Sequence, residues 1–416
     1  MKRFFGEIAN GSLTKKIIEQ ELMFNAHNYA PLPIVINRAE GSYVWDVEGK
    51  RYLDAISAFG AMNQGHIHPR IKNALISQLN RVTLLGRGLY SDKLGEASEF
   101  LTKTFGYDRS IMMNTGVEGG ETAIKFARRW GYESKGIHED KVDILLASNN
   151  FWGRTITACG SSDDPDRYTH FGPYAPGFKL LPYNDAEAFE NELISNPNVA
   201  AIMLEPIQGE AGIIVPNSDF FPKIRKLCDK HNVLLIVDEV QTGLGRTGKL
   251  LCQEHYGVKA DMVILGKALS GGFMPISAVL GSEKCFDTIK PGSHGSTYGG
   301  NPLACATAIE SVKVVIEEKL IDNAKSMGDL LKKRLRDEFK ENPYINDIRG
   351  KGLFIGFDID DQFGPSVSQF IDKACSLGLL IKNTKPTKIK IAPSLLIGEY
   401  EVDFIVNTIK KAALNN

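Results

Sequence analysis

Two residues able to do covalent chemistry stand at the ends of apolar runs. Val233 to Val237 ends in Asp238-Glu239, and Met262 to Leu265 ends in Gly266-Lys267-Ala268-Leu269-Ser270-Gly271-Gly272. Runs of this length read as buried strands, and in a largely parallel sheet ligands bind outside the carboxyl ends of the strands. A lysine between an apolar run and small residues is poorly placed for hydration, which lowers its pKa and suits Schiff-base chemistry. An aspartate at a neighbouring strand end can hold a pyridine nitrogen protonated. Each residue alone also reads as an ordinary solvated strand end. Together they are what pyridoxal phosphate requires, because its protonated ring is the electron sink when the C–H bond beside the reacting amine breaks. The freed lysine then shuttles the proton.

The phosphate of such a cofactor needs backbone N–H groups at a helix start. Asn114-Thr115-Gly116-Val117-Glu118-Gly119-Gly120-Glu121-Thr122 leads from a short strand into a predicted helix over Ala123 to Trp130. That is an anion site, and it also fits an ordinary glycine-rich helix entry. Gly243-Leu244-Gly245-Arg246-Thr247-Gly248 matches the dinucleotide pattern, and Gly243 to Lys249 nearly matches a P-loop. The P-loop form fails at Leu250, where a metal-binding Ser or Thr is required. The dinucleotide form sets Asp238 and Glu239 against its own phosphate cradle, and its ribose acid would be Asp261, which precedes a strand instead of ending one. The histidines lack metal spacing, His66-Ile67-His68-Pro69 reads as a structural turn, and no metal is expected. Neither a Gly-x-Ser-x-Gly elbow nor a catalytic-cysteine signature occurs.

The elements that must position these residues follow from the rest of the chain. Its 416 residues exceed one hydrophobic core and imply a large domain with smaller ones. Lys plus Arg 49 against Asp plus Glu 50 gives a formal net charge of -1 and no field for nucleic acid or an anionic membrane. The six cysteines are scattered without a Cys-x-x-Cys pair and read as buried thiols in a reducing compartment. The start at Met1 to Glu7 lacks a signal-peptide core, and the apolar runs are strand-sized, so a soluble cytoplasmic protein is expected.

The opening segment reads as helical to about Ala26, followed by a proline-rich extended path and a hairpin over Val44 to Asp54. From Phe59 to Gly300, apolar runs alternate with helical stretches, the pattern of a largely parallel sheet covered on both faces. Asp143 to Ala147, Ala200 to Leu204, Val233 to Val237 and Met262 to Leu265 are the clearest strands, and Ser148, Glu205 and Asp238 directly follow three of them. After Pro302 one long helix is predicted to about Phe339. Strand Leu353 to Ile359, helix Val367 to Leu377, strands near Leu380 and Ile389, and a last helix follow.

Nearly the whole chain from His27-Asn28-Tyr29 onward resembles the class III aminotransferases of the fold-type I pyridoxal-phosphate enzymes, and within them the ornithine aminotransferases. The strings that carry the likeness are Asn63-Gln64-Gly65-His66, Asn150-Phe151-Trp152-Gly153-Arg154-Thr155, Glu205 to Gly212, Asp238-Glu239-Val240-Gln241-Thr242-Gly243, Leu265 to Gly272, and His294 to Pro302. The resemblance implies an α/β fold with a mainly parallel sheet in a large cofactor-binding domain, residues 59–300, and a small α/β domain, residues 301–416, joined by the N-terminal segment, residues 1–58. It implies that Lys267 carries the cofactor, Asp238 pairs with the ring nitrogen, Gln241 meets the ring hydroxyl and Phe151 stacks on the ring. Gly116 and Val117 hold the phosphate, with Ser296 and Thr297 reaching it from a partner subunit in a homodimer or larger homo-oligomer.

For the substrates, the resemblance implies that Tyr29 and Arg154 hold the α-carboxylate end of ornithine, that Arg154 later takes the distal carboxylate of 2-oxoglutarate, and that Glu210 pairs with a basic residue until an α-carboxylate displaces it. Two positions depart from the family. Lys390 stands where an arginine is usual, and lysine lacks the bidentate fork. Phe59 stands where ornithine enzymes commonly carry tyrosine. The implied reaction is transfer of the δ-amino group of L-ornithine to 2-oxoglutarate. N-acetylornithine, 4-aminobutyrate or lysine is the alternative donor that Phe59 and Lys390 keep open.

Overall fold

Helix Leu13–Phe24 opens the computed structural model, which describes residues 12–414. The polar start before Ser12 lies outside the described residues. Strands β2 (Tyr43–Asp46) and β3 (Arg51–Asp54) form the expected hairpin, and a further strand β1 (Ile36–Glu40) pairs antiparallel with β2 to extend it into a meander. At the β2–β3 turn, Asp46 Oδ1 accepts from the N–H groups of Glu48 and Lys50 at 3.0 and 2.8 Å.

The central sheet has seven strands: β4 (Arg109–Met113), β5 (Asp143–Ala147), β6 (Phe178–Leu181), β7 (Val199–Leu204), β8 (Leu234–Asp238), β9 (Met262–Leu265) and β10 (Ser277–Gly281), in the order β4-β10-β9-β8-β7-β5-β6. The pairings from β6 through β9 are parallel, and β10 alone runs against the others. Every residue of β7, β8 and β9 is buried. Helices cover both faces, which explains why these strands read as continuous apolar runs without alternation. Burying each Leu, Ile or Val stabilises the sheet by about 1.5–3 kcal/mol. The polar residues at the ends of β7 and β8 and the turn after β9 therefore share one rim.

Helix Gly116–Glu133 follows β4 and begins seven residues before the predicted start at Ala123. Gly119 and Gly120 suggest a loop in the sequence, but they are helical because of packing. A Cβ at Gly119 would lie 2.8 Å from Ile264 Cγ2, and one at Gly120 would lie 2.5 Å from Trp152.

The predicted helix from Pro302 to Phe339 is two helices, Pro302–Glu317 and Leu320–Glu338. Lys319 between them is left-handed, at φ 55°. The first helix packs on helices Pro69–Leu79 and Asp92–Phe105, whereas the second packs on the C-terminal helix Glu399–Ala413 and the C-terminal sheet. One straight helix cannot serve both surfaces, so the chain turns.

The C-terminal sheet contains β11 (Ile345–Lys351), β12 (Phe354–Ile359), β14 (Lys382–Lys385) and β15 (Lys388–Ile391), in the order β11-β12-β15-β14. The two-residue β13 (Leu379–Leu380) instead pairs in parallel with β3. The glycine-rich loop Gly243 to Gly248 fastens this region to the central sheet. Arg246 is fully buried there; it donates to Asn63 Oδ1 at 2.6 Å, to the Leu353 carbonyl at 2.9 Å and to the Pro393 carbonyl. The loop is a structural clasp. All six cysteines are free, and five are buried.

Candidate active site

The rim of the central sheet encloses a cavity of about 160 Å³ lined by Gly116, Val117, Phe151, Glu205, Asp238, Gln241 and Lys267, with Trp152, Gly153, Val240 and Thr242. Six of the predicted cofactor residues thus meet in one place. Lys267 directly follows β9 and Gly266, and its backbone is left-handed at φ 42°. A non-glycine residue held there costs about 1–3 kcal/mol, which the surrounding packing sustains. Enclosure of its amine lowers the Lys267 pKa, against the opposing pull of Glu210.

Asp238, the last residue of β8, is buried, and its Oδ1 accepts from Val240 N at 2.9 Å. Burial pushes its pKa up to about 6 despite that hydrogen bond and the charge of Lys267. Glu205 follows β7; its two oxygens accept from Phe151 N at 2.9 Å and Gly209 N at 3.1 Å. Burial, with the charge of Asp238 adding, raises its pKa to about 8. Glu205 thereby ties the loop bearing Phe151 to the loop bearing Glu210. Its place directly after a strand marked the position in the sequence without revealing this role.

At the helix start, Thr115 and Glu118 form a reciprocal capping box. Thr115 Oγ1 accepts from Glu118 N at 3.3 Å, while Glu118 Oε2 accepts from Thr115 N at 2.7 Å. The first turn of a helix leaves N–H groups without partners within the helix, so those of Gly116 and Val117 can receive an anion at the cavity they line. On the facing wall, the buried Gln241 Oε1 has no hydrogen-bond partner among the described residues, although Gln241 Nε2 donates to Glu210 Oε1 at 2.9 Å. An anion cradle, a buried acid, a lysine of lowered pKa and an unpaired amide oxygen fit a phosphorylated pyridine aldehyde.

Beyond the cavity, Lys390 Nζ lies 2.6 Å from Glu210 Oε1. Burial would raise the Glu210 pKa, but the charge and hydrogen bond of Lys390, helped by Gln241, hold it at about 2. Phe59 lies near this pair, its ring 5.8 Å from Lys390 Nζ. Ser57, Ala58 and Phe59 are consecutively left-handed, and Asp54 Oδ1 anchors the turn through Ile56 N and Ser57 N at 3.0 and 2.8 Å. No pattern in Ser57-Ala58-Phe59-Gly60 announced this strained turn.

Arg154 is exposed, with its guanidinium 5.7 Å from the Phe151 ring, and Arg167 comes closer to that ring at 4.7 Å. Tyr29 is 62 % exposed and lines a separate groove, of about 740 Å³, between the N-terminal segment and β14. Ser296 and Thr297 do not line the cavity of their own chain. Ser296 Oγ accepts from Asn114 Nδ2 at 2.9 Å, beside the phosphate loop, and Thr297 is exposed. The described residues contain no cluster of potential metal ligands.

A buried acid facing a lysine of lowered pKa, above a helix start open to an anion, is the arrangement of a pyridoxal-phosphate enzyme. The profile of the class III aminotransferases matches residues 24–413, and the chain belongs to that family. It is 49 % identical to the mitochondrial ornithine aminotransferase of Drosophila melanogaster, over 98 % of this chain and 93 % of that protein. A crystal structure of the Toxoplasma gondii ornithine aminotransferase, with partial occupancy of pyridoxal phosphate at its active site, superimposes with a TM-score of 0.94 at 44 % identity, covering 96 % of this chain and 94 % of that one. The acetylornithine aminotransferase of Elizabethkingia anophelis superimposes with a TM-score of 0.87 at 43 % identity, covering 96 % and 98 %.

Proposed function

We propose that this chain is a pyridoxal-phosphate-dependent transaminase that moves the δ-amino group of L-ornithine to 2-oxoglutarate, giving L-glutamate and glutamate 5-semialdehyde, which cyclises to pyrroline-5-carboxylate. The observation that carries this reading is the convergence of Lys267, Asp238 and Gln241 in one cavity with the Glu210–Lys390 pair beside it. Ornithine aminotransferases that match over nearly the full length support the donor.

When bound, pyridoxal phosphate supplies the electron sink for the carbanion at the reacting carbon. Lys267 would hold the cofactor, and its Nζ would move the proton. Asp238 would hold the ring nitrogen protonated, Gln241 would accept from the ring hydroxyl, Phe151 would stack on the ring, and Gly116 and Val117 would hold the phosphate. Tyr29 and Arg154 would take the α-carboxylate of ornithine, leaving the δ-amine to meet the cofactor that Lys267 would hold. Arg154 next takes the distal carboxylate of 2-oxoglutarate, while the other carboxylate displaces Glu210 from Lys390.

We read the active form as at least a homodimer, with Ser296 and Thr297 completing the partner's phosphate site. Exposed Leu85, Leu89 and Tyr90 support such an interface. Sedimentation tests the assembly. The division at residues 58 and 300 into an N-terminal segment, a large domain and a small one is part of the same proposal, tested by limited proteolysis. A cytoplasmic location is read from the free cysteines; the Drosophila relative is named mitochondrial, and cell fractionation decides. Among the described residues no helix is long and apolar enough to cross a membrane.

A second reading keeps the chemistry and changes the donor to N-acetylornithine, 4-aminobutyrate or lysine. Phe59, which lacks a hydroxyl beside Lys390, and the similarity to an acetylornithine enzyme favour it. The visible absorbance of the purified protein, followed on adding each amine without an acceptor, separates the two. Loss of the cofactor band with ornithine alone supports the first reading, loss with another amine the second, and no band even after adding pyridoxal phosphate refutes both.

A further inference from the structure

β14 and β15 carry four lysines, Lys382, Lys385, Lys388 and Lys390. Three hold carboxylates: Lys385 holds Asp164 at 3.1 Å, Lys388 holds Asp358 at 2.7 Å and Lys390 holds Glu210 at 2.6 Å. Among the described residues, Lys382 alone of the four has no carboxylate within ion-pair distance. Its Nζ donates to the carbonyl of Ala30 at 3.1 Å.

The strand register sets Lys382 directly opposite Lys390. Residues opposite each other in an antiparallel pair share a face, with Cβ atoms about 5 Å apart, and like charges in that position repel. A single acid, Glu210, offsets both. Half-burial lowers the Lys382 pKa, and Glu210 is the charge that works against the loss of its proton. Glu210 thus bonds Lys390 and is felt by the charge of Lys382 on the next strand, and that carboxylate is the one proposed to move aside during the reaction.

We propose that Lys382 is a second cation beside Lys390 for the acceptor carboxylate that displaces Glu210, the two lysines together gripping the 2-oxo acid. The proposal rests on the function given above. A lone ammonium is a point charge and cannot grip both oxygens of a carboxylate in a fixed plane. Two ammonium groups on adjacent strands can each meet one oxygen, restoring a two-point grip. Ornithine has no second carboxylate, so the donor half-reaction does not need Lys382.

The Ala30 hydrogen bond supplies the competing explanation. Ala30 adjoins Tyr29, so a purely structural Lys382 would serve the donor segment, and its loss would harm ornithine at least as much as 2-oxoglutarate. The two roles therefore predict opposite patterns. We would measure KM for both substrates with the cofactor-loaded parent, Lys382→Gln and Lys382→Arg proteins. Calorimetric titration with glutarate, a five-carbon dicarboxylate without the reactive oxo group, gives a readout independent of turnover.

Lys382→Gln is expected to raise the KM for 2-oxoglutarate and the Kd for glutarate about tenfold, the worth of one charge-assisted contact, with the ornithine KM within about twofold of the parent. Lys382→Arg is expected to recover most of both losses. Equal changes in the two KM values, an unchanged glutarate Kd in Lys382→Gln, or no glutarate binding by the parent overturns the proposal. A parent that turns over no ornithine refutes the functional reading instead, and the glutarate titration still decides the role of Lys382.

Discussion

Replacing Glu210 by glutamine tests the central electrostatic argument. The Glu210 carboxyl falls from an ordinary 4.5 to about 2, chiefly because Lys390 outweighs the cost of burial. At about 1.4 kcal/mol per tenfold change, that difference is about 3 kcal/mol of interaction favouring the ionised form. An incoming acceptor carboxylate must give up part of that interaction to reach Lys390. Glutamine has nearly the same shape, and its carbonyl can still accept from Lys390, but it offers no charge. Part of the 3 kcal/mol is recovered through the new ion pair in either protein, so an effect of about 1.5–3 kcal/mol is expected. The KM for 2-oxoglutarate should therefore fall about 10- to 100-fold in Glu210→Gln, with a much smaller change for ornithine. Steady-state kinetics with each substrate varied at saturating co-substrate measures both. An unchanged or raised 2-oxoglutarate KM would show that Glu210 does not compete with the substrate for Lys390. The sign with pH is fixed as well. A depressed carboxylate contributes its stability above pH 4.5 and loses it as the pH falls toward 2, so the contribution is intact throughout the assay range.

Lys267→Ala should abolish turnover while retaining cofactor through the phosphate cradle, as shown by dialysis followed by phosphate analysis; an active variant would overturn the assignment of Lys267. Burial raises the Asp238 pKa to about 6, so a site that needs its charged form should bind pyridoxal phosphate about tenfold more weakly at pH 5 than at pH 7.5. Fluorescence titration of the apo-protein measures this, and equal affinity at both pH values would refute the pairing. Arg246→Met leaves the Asn63, Leu353 and Pro393 oxygens without their buried donor, which should destabilise the protein by about 3 kcal/mol or more and speed amide exchange near Leu353; wild-type melting and exchange would show that the clasp is dispensable.

What could be read from the sequence separates along a physical line. Strands buried on both faces announce themselves, because the burial that stabilises them also demands an unbroken apolar run, as in Ala200 to Leu204 or Met262 to Leu265. Lys267 and Asp238 were visible for the same reason: reactive groups directly after such runs must lie at the rim. Where a conformation depends on what packs against the chain, the local signal misleads. Gly119 and Gly120 read as a loop, yet they are the close-contact face of a helix. Lys319 gives no hint of the left-handed turn forced on it by two separate packing surfaces.

Charge partners follow the same rule at longer range. The Lys390 departure was plain in Lys388-Ile389-Lys390-Ile391, but its value depends on what stands opposite, and Lys382 lies eight positions away in sequence and one strand away in space. Alternation along β15 identifies which lysines share a face; register alone identifies the cross-strand pair, and register is set by the turn and by the buried Ile389 and Ile391. A substitution at Lys390 is therefore best judged together with Lys382. If the two act as one carboxylate site, Lys390→Arg should matter less in a chain that keeps Lys382 than in one carrying Lys382→Gln, because an added fork helps most where the second cation is missing. Independent effects of the two substitutions on the 2-oxoglutarate KM would instead mean that the lysines act separately, and that the chain tolerates the loss of the family arginine without replacing its grip.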